Sequence, residues 1–460
     1  MSDPRADDNR PVHFVGIAGA GMSALAELFV RRGYRVTGCD ANLTSADDLR
    51  RLNVALFTGH DPAHVAGVSE VIVTSAVRKD HPELVRAREL GIPVTRRAEA
   101  LGRAVSGGEL VAIAGTHGKT TTTVMTTEAL ASAGLDPTGI AGGRVEAWNG
   151  NLRGGSHRAF VVEADEYDRS FLALTPTIAV VTNVEEDHLD IYPGGLVEIR
   201  DAFAEFVRPA RVIVLCADDA GSSTLPVPNT AEVIRYGIDS DDARLRAADI
   251  EPANRGSVFG VEYDGEELGR LSLRVPGIHN VKNALAAVAS GIALGLELDA
   301  MRAGLESFGG VERRFELVGE MNGVTIIDDY AHHPTEIRAT LEAARAAYPK
   351  KRIIAAFQPH LYSRTRDFYH EFAAVLSTAD VVYLCDLYPA REQPVPGVSS
   401  ALIATAMREK GCAPKWEGPR SALAAVLARD VRENDLVVTM GAGDITKTGP
   451  ELIRLLEEEH

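Results

Sequence analysis

Short apolar runs alternate with amphipathic stretches along the chain. "VHFVGIA" is followed by the helix-periodic "SALAELFVRRG", then by "YRVTGCD", "DDLRRLN", "VALFTG", "VIVTSA" and "PELVRARELG". Apolar runs without polar alternation suit strands covered on both faces, and the 3.6-residue period between them suits covering helices. The rhythm predicts a parallel α/β sheet over roughly the first hundred residues.

The polar "AVSGGE", with Gly107 and Gly108, reads as a hinge, after which the rhythm restarts with "LVAIAG", "AFVVEAD", "IAVVTNV" and "RVIVLCA". "GSVFGVEYDGEELGRLSLRV" reads as a hairpin turning at Asp264-Gly265. A third block follows "SFGGVERRFE", with "GVTIIDDY", "RIIAAFQP", "VVYLCDLYP" and "DLVVTMGAG". At 460 residues the chain exceeds one hydrophobic core, so three α/β domains are expected, over 1–107, 108–310 and 311–460.

Apolar content of 45% is enough to fill these cores, and the formal charge of −17 argues against a nucleic-acid or anionic-membrane surface. An anionic ligand must therefore meet a local positive site. Cys39, Cys216, Cys385 and Cys412 lie far apart with no CxxC pair, a spacing that suggests neither a zinc site nor a disulfide framework. The opening "MSDPRADDNRP" lacks the layout of a signal peptide, and no apolar run approaches a bilayer-spanning length. A soluble cytoplasmic protein, monomer or homodimer, without membrane insertion, is expected.

Two glycine-rich turns carry candidate chemistry. Gly19, Gly21 and Ala24 satisfy G-x-G-x-x-G/A between a strand and a helix, and Asp40 ends the next strand. Small residues there admit a pyrophosphate to a helix N-terminus, so any nucleoside diphosphate fits, as does an unliganded tight turn. In the second, "AIAGTHGKTTTT", Gly118-Lys119-Thr120 is the end of a P-loop, with Lys for phosphate charge and Thr for Mg²⁺. This loop is shortened, since Gly115 stands only three positions before Gly118. It is expected to bind ATP. Glu163 in "VVEADEYD" and Asn183, Asp187 and His188 in "VVTNVEEDHLDIY" follow apolar strands. Such strand ends are more often solvated loops, but following a P-loop in one sheet they point to Mg²⁺ ligation by Glu163 and His188.

Taken with "HNVKNALAA", "RRFE", "DDYAHHPTE", "FQPHLYSRTRD" and "GAGDI", these motifs resemble the Mur ligase family nearly end to end. The resemblance implies α/β architecture in three domains with mainly parallel sheets: a Rossmann-like N-terminal domain for a UDP-sugar, a P-loop ATPase-like central domain, and a Rossmann-like C-terminal domain that closes over ATP and binds the amino acid. His117 in "GTHGKT" resembles the alanine-adding branch, implying UDP-N-acetylmuramate, L-alanine and ATP as substrates, with Mg²⁺. By the same resemblance Gly115, Thr116, His117, Gly118, Lys119, Thr120, Thr121, Asn280, Asn283, Arg314 and Asp329 bind ATP. Thr120, Glu163 and His188 hold Mg²⁺, while Gly19, Gly21, Met22, Ser23, Asp40 and Ser75 hold the UDP-sugar. His332, His360 and Arg364 hold the amino acid, and Lys119, Glu163, His188, Arg314 and His332 are the catalytic group. Later-acting members carry a carbamylated Lys where Phe203 stands, so no carbamate is expected. "HHP" also reads as a plain helix start, with Pro334 at the first helical position. Three alternatives stay open: a ligase of the same family that attaches a preformed tripeptide, an NAD-dependent oxidoreductase, and a regulatory P-loop NTPase.

Overall fold

A computed structural model describes residues 9–253, 255–390 and 392–458; the acidic opening segment lies, up to residue 8, outside the described residues. Two compact units form. One contains the chain up to Ala248 with Gly260–Leu271 and Lys282–Ser307, and the other contains Asp249–Phe259, Ser272–Val281 and the chain from Phe308 onward.

The first sheet consists of β1 (Val12–Val15), β2 (Val36–Asp40), β3 (Ala55–Thr58), β4 (Glu70–Val73) and β5 (Val94–Arg96), in the order β3-β2-β1-β4-β5. All its pairings are parallel. Helices α1 (Ala20–Arg31), α2 (Asp47–Arg51), α3 (Pro82–Glu89) and α4 (Arg97–Ala104) connect and cover it. The order reverses at β1, so the turns after β1 and β4 open a crevice between them, the place where such sheets take ligands.

The second sheet contains β6 (Glu109–Ala114), β7 (Thr138–Val145), β8 (Gly150–Arg153), β9 (Ala159–Glu163), β10 (Ile178–Val181), β11 (Val212–Cys216), β12 (Glu232–Gly237), β13 (Leu245–Ala253), β14 (Gly256–Tyr263) and β15 (Glu266–Leu273). Its order is β15-β14-β13-β12-β11-β10-β6-β9-β7-β8. Asp264 (φ 51°) and Gly265 (φ 84°) make the turn between β14 and β15, the left-handed pair a two-residue hairpin needs. With it go α5 (Lys119–Ser132), α6 (Gly195–Val207), α7 (Ala220–Ser223), α8 (Ile278–Ala293) and α9 (Leu298–Ser307). α5 is buried on almost every face, because β7 and β9 pack on one side and α9 on another. Gly304 of α9 permits this approach, since a Cβ there would overlap the Glu128 carbonyl.

The third sheet, in the other unit, runs β16-β17-β21-β18-β19-β20. Its strands are β16 (Glu316–Met321), β17 (Val324–Asp329), β18 (Arg352–Phe357), β19 (Val381–Cys385), β20 (Trp416–Gly418) and β21 (Asp435–Met440). Only β16 is antiparallel to its neighbour. Helices α10 (Pro334–Ala347), α11 (Tyr362–Leu376), α12 (Ala401–Glu409), α13 (Arg420–Asp430) and α14 (Thr448–Glu458) cover both faces. Among the described residues no helix is long and apolar enough to cross a membrane. Phe203 is fully buried on α6 in the apolar core, which suits no ligand role.

Candidate active site

β6 lies between β9 and β10 and parallel to both, so the carboxyl ends of all three strands meet on one edge. That placement brings the shortened loop after β6 onto Glu163 at the end of β9 and onto Thr182 and Asn183 just after β10. The Asn183 side chain accepts from the His117 N–H (2.8 Å), and its carbonyl accepts from the Thr116 N–H (3.1 Å). Thr182 Oγ1 donates to the His117 carbonyl (2.6 Å). Gly115 has φ 141°, and a Cβ there would overlap Thr182 Oγ1, so the turn needs glycine both for its backbone and for this close approach. Gly115→Ala is accordingly expected to cost about 2 kcal/mol or more of stability and to abolish nucleotide binding, measured by denaturant unfolding and by ADP titration.

Gly118 (φ 80°) caps α5, so the helix begins at Lys119 with its first N–H groups directed out of the loop. Thr120 and Thr121 lie in that first turn. The Lys119 ammonium donates to the carbonyls of Gly115 (2.7 Å) and Thr116 (3.2 Å) and to both carboxylate oxygens of Glu166 (3.0 and 2.8 Å). The neighbouring carboxylates of Glu166 and Asp165 hold this ammonium charged, against its burial, well above the usual lysine range. Burial pushes the Glu166 carboxyl up to about 7 despite Lys119. The sequence reading passed over Glu166, although it lies three positions beyond Glu163 in the same "EADEYD".

Thr120 Oγ1 donates to Glu163 Oε1 (3.0 Å), and the Gly142 N–H donates to Glu163 Oε2 (2.5 Å). Burial raises the Glu163 carboxyl above the ordinary range. A hydroxyl and a half-buried carboxylate that side by side offer hard oxygens suit a hard divalent cation such as Mg²⁺. His188 stands elsewhere in the cluster, its Nε2 3.7 Å from Glu166 Oε1 and 3.8 Å from Asp187 Oδ2, on a residue with φ 52° that side chains rarely adopt. Thr120 and Glu163 are therefore joined directly, and His188 reaches them by way of Glu166 and Lys119. On α8, Asn283 Oδ1 accepts from Thr122 Oγ1 (3.1 Å), and Asn280 Nδ2 donates to the Pro276 carbonyl (2.7 Å).

The first glycine turn and Glu163 face one cavity of about 550 Å³. Gly19, Gly21, Met22 and Asp40 line it from the first sheet, and Gly142, Glu163 and Asp165 from the second. Asp40 Oδ2 accepts from the Ala18 N–H (3.0 Å) and so fixes the turn. The Arg97 guanidinium lies against Gly21 at the start of α1, where a helix N-terminus and a cation together suit a phosphate. Arg97, Thr74 and His60 also line the cavity, and the sequence reading missed all three. Ser23 is not among the lining residues; its hydroxyl donates to the Ala20 carbonyl (3.0 Å). Ser75 lines a separate, smaller pocket with Arg96, Arg97 and Asp168.

In the other unit, the ends of β17, β18 and β21 likewise meet at one edge. Asp329 accepts from the Phe315 N–H (2.8 Å) and the Ala331 N–H (2.7 Å), and burial pushes its carboxyl up to about 6. Arg314 lies 3.6 Å from Glu336 and over the Tyr330 ring. The Tyr330 carbonyl is 2.9 Å from His332 Nδ1, which therefore carries the hydrogen in the neutral ring and leaves the lone pair to Nε2. His332 and His360 have ring centroids 5.9 Å apart, and Arg364 is buried on α11 just beyond Leu361, whose φ is 70°. His333 caps α10, accepting from the Thr335 N–H, with Pro334 as its first helical residue, so the helix-start reading holds for this residue.

A glycine turn with a lysine at a helix N-terminus, a hydroxyl–carboxylate pair beside it, and a second glycine turn on the same cavity make up the geometry of a nucleotide-dependent enzyme. Three family models match in succession: "Mur ligase family, catalytic domain" over residues 11–108, "Mur ligase middle domain" over 113–291, and "Mur ligase, glutamate ligase domain" over 313–443. The chain belongs to the Mur ligase family. It is 42% identical over 450 residues to a UDP-N-acetylmuramate--L-alanine ligase of Trichlorobacter lovleyi, covering 97% of this chain and 98% of that one. The crystal structure of a UDP-N-acetylmuramate-alanine ligase from Thermotoga maritima superposes with a TM-score of 0.84 at 31% identity, covering 98% of this chain and all of that one. A murein peptide ligase from Psychrobacter arcticus shares the fold, with a TM-score of 0.71 at 24% identity over 97% of this chain and 98% of that one.

Proposed function

We propose that this protein joins L-alanine to the lactyl carboxylate of UDP-N-acetylmuramate at the cost of ATP, a step in peptidoglycan precursor synthesis. The observation that carries this reading is the single cavity onto which both the first glycine turn and Glu163 open. A diphosphate held at Gly19–Gly21 places its sugar toward the carboxylate beside Thr120, next to the loop assigned to ATP.

A carboxylate is a poor electrophile, because its charge repels an amine and oxide would have to leave. One carboxylate oxygen therefore attacks the γ-phosphorus of ATP, the bond to the β-phosphate oxygen breaks, and ADP departs from an acyl phosphate. The turn at Gly115–Thr120 positions the triphosphate, and the Lys119 ammonium stabilises the charge that develops on the transferred group. Thr120 and Glu163, with His188 nearby, would hold Mg²⁺, which would supply positive charge to neutralise the phosphates. The amine of alanine then attacks the acyl carbon and inorganic phosphate leaves, while His332 Nε2 takes the amine proton. His360 and Arg364 hold the amino acid, Arg364 pairing with its carboxylate. Within this reading residues 1–107 hold the UDP-sugar, 108–310 hold ATP, and 311–460 hold the amino acid.

A coupled ADP-release assay with a panel of amino acids and a tripeptide tests the proposal. Release is expected only with UDP-N-acetylmuramate and an amino acid both present, and strongest with L-alanine. Preference for the tripeptide, release without the sugar, or redox turnover of NAD would each refute it.

A further inference from the structure

A second group of metal-type donors lies in the first sheet, behind the glycine turn. Strand register pairs His13 with Thr37 and Val15 with Cys39, so the His13 and Cys39 side chains project from the same face of β1 and β2. α3 covers that face and inserts Glu83, which is fully buried, and the turn Pro62–Val65 adds His64 from the side. Around them is the small apolar core of Val15, Val65, Val71 and Leu84.

The candidate ligand atoms of His13, Cys39, His64 and Glu83 all lie within 4.8 Å of one another. Cys39 Sγ is 3.0 Å from Glu83 Oε2, His64 Nδ1 is 2.8 Å from Glu83 Oε1, and His13 Nε2 is 3.7 Å from Glu83 Oε2. Metal–ligand bonds of about 2.0–2.3 Å at tetrahedral angles put neighbouring ligand atoms about 3.3–3.7 Å apart, so small side-chain shifts close the shell. His60 Nδ1 borders it, 3.3 Å from Cys39 Sγ.

Satisfying Glu83 does not account for the whole cluster. The carboxylate already accepts from the Asp61 N–H (3.0 Å), from His64 and from the Cys39 thiol. His13 is completely buried and oriented by Thr37 Oγ1, 2.8 Å from its Nδ1, yet its Nε2, directed into the cluster, has no hydrogen-bond partner among the described residues and faces the Glu83 carboxylate at 3.7 Å, beyond hydrogen-bond distance. A ring nitrogen pinned on one side with the other turned toward a thiol and a carboxylate is the arrangement of a metal-ligating histidine.

We propose that His13, Cys39, His64 and Glu83 form a four-coordinate site for a zinc-class divalent cation, separate from the Mg²⁺ donors Thr120, Glu163 and His188. One thiolate, two imidazoles and one carboxylate make a borderline-soft set that favours Zn²⁺ over Mg²⁺. Once Cys39 has released its thiol proton, the two anionic ligands balance a divalent ion, as a buried site requires. The Cys39 carbonyl accepts from the N–H groups of Gly16 (2.8 Å) and Ile17 (3.1 Å), so the ion ties the glycine turn to β2 and α3. Nothing in this assignment depends on which nucleotide either loop binds. Spacing along the chain hides the site because its four ligands come from four separate elements.

The test uses the untagged full-length protein, stripped with a chelator, reloaded with Zn²⁺ or Co²⁺ and desalted. About one zinc per chain is expected to be retained, and Co²⁺ is expected to give thiolate-to-cobalt charge transfer with the visible bands of a four-coordinate ion. Cys39→Ser should abolish the charge-transfer band, while Cys412→Ser and Glu163→Gln should keep it. His64→Asn, at the rim of the cluster, should lower retained zinc in a protein whose circular dichroism is unchanged, so the test stands even where Cys39→Ser fails to fold. Folded wild-type protein that retains no zinc, or a charge-transfer band that survives in Cys39→Ser or is lost in Cys412→Ser, overturns the proposal. So does unchanged zinc retention in His64→Asn.

Discussion

Lys119→Ala is expected to slow ATP-dependent formation of the acyl phosphate by about 10³-fold or more while leaving UDP-sugar affinity nearly unchanged. The Lys119 side chain is only 13% exposed, is fixed by two carbonyls of its own loop and by Glu166, and in the proposed reaction faces the phosphoryl group as it gains charge. In so dry a place a fixed cation acts far more strongly than in water, and no solvent reorganises to replace it. The substitution also leaves Glu166 buried without its cation, a structural cost that must be separated from the chemical one. Because burial already raises the Glu166 carboxyl to about 7, it can take up a proton, and Glu166→Gln placed in the same chain should recover stability without recovering rate. Single-turnover ADP release with calorimetric titration of the UDP-sugar reads both effects. Rate recovered by Glu166→Gln alone would assign Lys119 a structural role only.

Glu163→Gln is expected to move activity and stability in different directions. Glutamine's one oxygen can accept from the Gly142 N–H while its amide N–H donates to the Thr120 hydroxyl, which then accepts instead of donating; the negative charge is lost, so turnover should fall about 10²-fold or more and the Mg²⁺ needed for half-maximal rate should rise. Burial penalises the charged form of Glu163, so the variant should unfold at the same temperature as the parent or above it. A Mg²⁺ titration at saturating ATP alongside a thermal melt checks both signs. Unchanged Mg²⁺ dependence, or a large loss of stability, would remove Glu163 from the metal site.

Buried parallel strands announce themselves as unbroken apolar runs, and β1, β6, β9, β10, β18 and β21 were legible for that reason. β5, β8, β16 and β20 are short or half-polar edge strands that bury one face at most, and periodicity has little to register in them. The glycine turns were legible too, because only small residues serve where φ is positive and neighbouring backbone crowds in, as at Gly115. Glu166 and Arg97 were not. Glu166 is acidic among several acidic residues, and what distinguishes it is the Lys119 ammonium brought against it by strand order. Arg97 opens α4, far along the chain from the turn it overlies, and lines both the main cavity and the smaller pocket in which Ser75 lies. His13, Cys39, His64 and Glu83 were equally invisible, since β-sheet register and one covering helix assemble them.

At the centre of this account is transfer of the terminal phosphoryl group of ATP, held at Gly115–Thr120, to the carboxylate of the UDP-sugar. UDP-N-acetylmuramate labelled with ¹⁸O in that carboxylate, turned over with ATP and L-alanine, tests the transfer directly by mass spectrometry of the released phosphate. The account predicts that inorganic phosphate carries one oxygen from the carboxylate. Phosphate released without label, while the amide forms at its normal rate, would contradict it.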